Sequence, residues 1–181
     1  MAYDQFFKMA QAGIPEFQLL EWKLSMSTPT AVQQSASPST LKRLIACSVL
    51  YVVWASIAAV VAIAENRPGE FAGFSTGLPA LQNFLYGMGT GMSPSLLHLI
   101  VQVAFTILAP RGDRWGGVGV VGLAIFGFLT VNGALWEPIN LELLNPVTFN
   151  LPRAVIQLGM IMIPFAMMVF GILEWSRRRR L

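Results

Sequence analysis

Charge is scarce in this chain. Only 12% of its 181 residues are Asp, Glu, Lys or Arg, against 55% hydrophobic, whereas a soluble domain carries roughly a quarter charged residues. A compact water-soluble globule of this composition would have to expose large apolar areas, so the composition points to an integral membrane protein. Cysteine occurs once, as Cys47. That excludes an internal disulfide, a cysteine-based metal cage and a dithiol redox pair, and leaves Cys47 as a small packing residue in an apolar run. Histidine also occurs once, as His98, which excludes bis-histidine haem ligation and leaves a zinc site short of ligands. No metal and no cofactor is therefore expected. The carboxylates flank the apolar runs or lie outside them, which weakens proton-coupled transport, a chemistry that places an acid within a span. Ser95 and His98 share a helix face, but nothing around them resembles a nucleophile elbow.

The formal charge of +3 does not point to nucleic acid. Four of the basic residues form one terminal run, Arg177 to Arg180, directly after an apolar segment, which is the position of a membrane-surface anchor. The expected partner is the lipid bilayer, and nucleic-acid binding is excluded.

What is present is a set of long apolar stretches. Residues 1–40 form an N-terminal leader. Within it, 15–24 has the spacing of a short amphipathic helix lying on a membrane surface, while the Ser/Thr/Pro-rich stretch opened by Met26 equally suits 1–25 being an upstream extension. A single four-span domain is expected over 41–181. The first span, Leu44–Ala64, carries no charge and reaches about 30 Å at 1.5 Å per residue, the thickness of the hydrocarbon core. Ala62-Ile63-Ala64 resembles a signal cleavage site, but the apolar run exceeds a typical h-region, so a retained helix is expected. The second span covers 93–110, with Ser93 as cap and Pro94 at its first position. The third covers 116–135, where Gly119, Gly122, Phe126, Thr130 and Gly133 form a seam of mostly small residues suited to close helix packing. The fourth covers 152–175, with a kink expected at Pro164. Between the first two lie a short amphipathic piece over 79–86 and a glycine-rich break over 87–91.

The basic residues set the orientation. Lys42, Arg43, Arg111, Arg114 and the terminal tetrad fall at one end of the spans, and Arg67 and Arg153 at the other. The positive-inside rule then places both termini in the cytoplasm. The fold expected is an all-α, integral membrane four-helix bundle, multi-pass in a plasma membrane of bacterial type. A Pro-to-Gln layout common to the second and fourth spans hints at a parallel repeat of two halves, with unequal offsets.

A candidate site follows from depth. His98, Gln102 and Thr106 recur at four-residue intervals, which stacks them on one helix face. Both His98 and Gln157 lie about 6–8 Å below the outer boundary, and Asn132 reaches a comparable depth from the third span. Gln102 lies one turn deeper, and Trp136, Glu137 and Arg153 form the rim. The expected ligand-binding set is His98, Gln102, Asn132, Gln157 and Trp136, with Glu137 and Arg153 as an interfacial ion pair. The competing reading is plain interhelical hydrogen bonding, worth about 0.6 kcal/mol per bond. The expected function is a non-enzymatic membrane protein that binds a small amphipathic ligand or lipid, or an accessory subunit binding a partner membrane subunit. The alternatives are a membrane enzyme acting on a lipid-like substrate, with His98 as general acid/base and Glu137 assisting, and a small transporter.

Overall fold

A computed structural model describes residues 39–71 and 74–180. The readings for 1–25 and for most of the leader lie outside the described residues. The described residues are mostly helical, and three helices among them are long and apolar enough to cross a membrane. They are α1 (Ser39–Ala64), α4 (Arg114–Trp136) and α6 (Leu151–Arg178). A fourth apolar helix, α3 (Leu96–Leu108), has 13 residues and rises only about 20 Å. Two short helices, α2 (Ala80–Tyr86) and α5 (Ile139–Leu144), lie in the connections. Two small antiparallel ladders complete the fold: β1 (Glu70–Phe71) with β2 (Phe74–Ser75), and β3 (Gly89–Thr90) with β4 (Ser93–Pro94).

The helix ends follow local chemistry. The Asp113 carboxylate accepts the amides of Trp115 and Gly116 and so starts α4. Asn150 accepts the Arg153 amide, with Pro152 in the first turn of α6. Asn66 ends α1 at φ 48°. The Asn66 amide returns to the Ile63 carbonyl and the Arg67 amide to Ala62, the pairing of a Schellman cap with asparagine in the left-handed position.

Helix α3 starts later than the sequence indicates. Ser93 and Pro94 pair with Thr90 and Gly89 in the β3–β4 ladder, so Ser95 holds the N-cap position. The glycine-rich 87–91 stretch is accordingly an ordered hairpin and not a loose break. Gly89 adopts φ +112°, and a Cβ there would run into the backbone of Pro94 and Ser95. Asn83 of α2 fastens this hairpin, donating to the Gly69 carbonyl and accepting from the Met88 amide. The segment over Pro164 remains part of one continuous α6.

Each of α1, α3, α4 and α6 packs on two of the others: α4 on α6 and α3, and α1 on α6 and α3. The glycine seam of α4 faces α3. A Cβ on Gly119 would strike the backbone at Leu108 and Ala109, and one on Gly122 would strike the Phe105 ring. Partners step in opposite directions along the two helices, so the pair is antiparallel. The other side of α4 meets α6, where Gly127 lies against the Pro164 carbonyl and Gly171 against Ala124. Backbones approach this closely because these positions lack side chains, which maximises dispersion contact. The interior divides into two apolar clusters. One holds Tyr51, Ala55, Ala58, Ala62, Met92, Leu99, Ile139 and Met160. The other holds Leu44, Ala109, Val120, Leu123 and Met167.

Candidate functional site

Three groupings of polar side chains lie between α1 and the end of the molecule that carries the β3–β4 hairpin. The first is a layer near the middle of α1 and α3. Gln102, fully buried, donates from Nε2 to the Ser48 hydroxyl at 3.1 Å and approaches the Met167 sulfur at 3.6 Å. Ser48 is also hydrogen-bonded to the Thr106 hydroxyl at 2.7 Å, and Thr106 donates to the Gln102 carbonyl. The Tyr51 hydroxyl, one turn beyond Ser48, and Gln102 Oε1 are buried and have no hydrogen-bond partner within bonding distance among the described residues.

The second grouping lines a cavity of about 270 Å³ beneath the β3–β4 hairpin, walled by α3, α4 and α6. His98 enters it from α3. Its Nε2 lies 3.2 Å from the Thr130 hydroxyl of α4, and its ring rests on Phe126 with centroids 4.4 Å apart. Gln157 lines the opposite wall and donates to the Ala134 carbonyl at 2.9 Å. That carbonyl belongs to the last turn of α4, which has no helical partner for it, and Asn140 donates to the same oxygen. Glu137, just beyond α4, and Glu70, from β1, add carboxylates to the lining. Met88, Met92, Leu129 and Met160 supply apolar surface. Gly133 leaves room, since a Cβ there would meet no atom within 4 Å. Burial pushes the Glu137 carboxyl up to about 7; the Glu70 backbone opposes that rise and the Glu70 charge adds to it.

The third grouping is an ion network at the same end of the molecule. Glu65 at the end of α1 binds Arg67 and Arg153, each at 2.9 Å, and Glu142 of α5 binds Arg67 at 2.8 Å. It ties α1, α5 and α6 together. Arg153 therefore pairs with Glu65 and Glu142 and not with Glu137, the partner its place on the rim suggests from sequence. The reason is geometric: Glu137 turns into the cavity beside Glu70, while Glu65 and Glu142 meet Arg153 on the rim.

Of the residues singled out from sequence, His98, Gln157 and Glu137 share the cavity, and Gln102, Asn132 and Trp136 do not line it. Each i+4 step along a helix advances about 40° around its axis, enough to turn Gln102 and Thr106 toward α1 while His98 faces α4. Asn132 donates to the Phe128 carbonyl of its own helix at 2.8 Å. It follows Thr130 by two residues, about 200° around the axis, and so points away from His98. Trp136 is exposed. Thr130, Glu70 and the methionines were missed as site residues. Thr130 was visible as part of the glycine seam, whereas Glu70 arrives through a loop whose path no local pattern specifies. Among the described residues no group of three or more His, Cys, Asp or Glu is placed to hold a metal ion.

No family model, no curated protein and no solved structure matches this chain.

Proposed function

We propose that this protein is a four-crossing membrane bundle, with both termini cytoplasmic, that binds a small amphipathic molecule in the cavity at His98, Gln157 and Glu137. Three long apolar helices with α3 between two of them, and basic residues gathered at the α3–α4 turn and the end of α6, support that arrangement. The observation that carries the binding reading is the cavity itself. It combines thioether and aliphatic walls with a few convergent polar groups, the usual composition of a small-molecule site. Its volume of about 270 Å³ lies just under the range of roughly 300–1,000 Å³ for such sites. The occupant is thus a small molecule, or the polar end of a longer amphiphile whose tail leaves between helices. Glu137 and Glu70 offer acceptors, so hydrogen-bond donors on that polar end suit the lining.

Binding is favoured over acid/base catalysis by the setting of His98. Its ring is held by a hydroxyl and an aromatic face, and no hydrogen bond joins it to a carboxylate among the described residues. General-base catalysis gains most when a third group orients the base.

The test is purification in mild detergent followed by native mass spectrometry, comparing wild type with Gly133→Leu and His98→Ala. Gly133→Leu fills open space and should exclude the bound molecule while the protein still folds. His98→Ala should weaken its retention. The same small-molecule complement in all three proteins refutes the binding site, and a co-purifying membrane protein in its place supports the accessory-subunit reading.

A further inference from the structure

The far end of the bundle holds a second, differently built pocket of about 420 Å³, between the α3–α4 turn and the end of α6. Its lining includes Arg111, Arg177, Arg178, Asp113 and Trp175. Glu174, fully buried, organises it. The carboxylate accepts Thr40 at 2.6 Å, Arg177 at 2.7 and 3.0 Å, and Arg178 at 3.0 Å. Arg178 reaches on to the Ala109 carbonyl at 2.8 Å and the Arg111 carbonyl at 3.4 Å, so one guanidinium closes the end of α3 while bound to α6. Gly116 permits this approach, since a Cβ there would meet the Arg178 guanidinium and the Arg111 carbonyl.

Two of the three guanidinium groups are thus fixed before any ligand arrives, while the Arg111 side chain makes no ion pair among the described residues. The opposing Asp113 carboxylate is already engaged by the Trp115 and Gly116 amides. Trp175 lies in the floor, with Arg179 stacked on its ring at 4.7 Å. Every Arg178 guanidinium nitrogen already has a partner, and Arg177 turns its Nε and Nη2 to Glu174, which leaves Arg177 Nη1 and the Arg111 guanidinium as the donors open to a ligand. Such donors beside a tryptophan, at the end of apolar helices, suit a phosphate placed at headgroup depth.

We propose that this pocket binds the phosphate of an anionic glycerophospholipid, with Arg111 as the residue recruited on binding and Arg177, held in place by Glu174, as the prearranged donor. The proposal rests on the long helices lying in lipid and is independent of the cavity at His98. Free phosphate offers the same chemistry from solution, so the experiment separates the two sources.

The protein is exposed to equimolar phosphatidylglycerol and phosphatidylcholine in mixed micelles, and the retained adducts are counted by native mass spectrometry. Wild type should retain phosphatidylglycerol in preference. Arg111→Gln should reduce that preference about fivefold, the effect of one arginine near an anionic surface. Arg180→Gln removes the same charge from a residue outside the pocket and should leave most of the preference. In parallel, thermal unfolding is followed in phosphatidylcholine nanodiscs with and without inorganic phosphate. An Arg111-dependent rise in Tm with phosphate, without any lipid preference, keeps the site and assigns it to a soluble phosphate. Equal losses in the two variants, or no response to either anion, overturn the proposal.

Discussion

Replacing Glu137 with Gln isolates the cost of keeping a carboxylate in the cavity beside His98. Its ordinary value of 4.5 rises to about 7 in the folded protein, chiefly through burial. The folded state therefore holds the proton more tightly than the unfolded chain. The resulting stabilisation is complete below pH 4.5 and is lost as pH rises through about 7. At 1.36 kcal/mol per pH unit this interval sets an upper limit of about 3 kcal/mol. Glu137 is only half-buried, and solvent screening reduces the effect to about 1–2 kcal/mol. For a chain of this length that is a change in Tm of roughly 3–6 °C. Tryptophan-fluorescence melts in detergent, from pH 5 to 8.5 at constant ionic strength, provide the assay. Wild type should lose stability across this range by about that amount relative to Glu137→Gln, and the variant should be the more stable at pH 8. His98 is present in both proteins, so the difference between the curves belongs to Glu137. Parallel pH profiles, or a Gln variant less stable at pH 8, would refute the reasoning.

Two further outcomes test the packing. Gly119→Ala and Gly133→Ala are the same substitution on one helix, yet the first drives a methyl group into the backbone of α3 and the second enters open space. The first should destabilise by about 1–3 kcal/mol and the second should be neutral or stabilise by up to ~1 kcal/mol, as read from unfolding in detergent; equal effects would discount the seam. Glu174→Ala leaves Arg178 packed against the end of α3 without its buried partner and, because both arginines still reach solvent, should cost about 1–3 kcal/mol, between an exposed and a fully buried pair. A loss below ~1 kcal/mol, the value of an exposed pair, would show that the carboxylate is not buried as described.

The long helices were legible because hydropathy is a local property: α1, α4 and α6 each contain the apolar run that the residues announce. That His98 and Gln157 approach one level along the bundle was legible too, since rise per residue is fixed, and both line one cavity. Azimuth was not. Asn132 has the right height and the wrong direction, and resolving that requires knowing which flank of α4 meets which neighbour. The start of α3 was hidden for a similar reason, because Pro94 suits a first helical turn until Gly89 claims it for a ladder. The Glu174 clamp went unread, although the carboxylate and its arginines stand three and four apart on one helix face. Its extension to Thr40 and to the end of α3 depended on tertiary contacts.

The length of α3 has a consequence for the surrounding lipid. Its rise of about 20 Å falls roughly 10 Å short of an average hydrocarbon core. On the four-crossing reading, the β3–β4 hairpin must then sit at a level that acyl chains would otherwise fill. Irregular backbone is tolerated there only when turned toward protein or a polar recess. On the same reading the longer α1, α4 and α6 would set the thickness elsewhere, and the leaflet would dimple on the α3 flank. Were α3 to cross in this way, chain length in the host bilayer would become a control over how accessible the recess is, with no change to the protein itself.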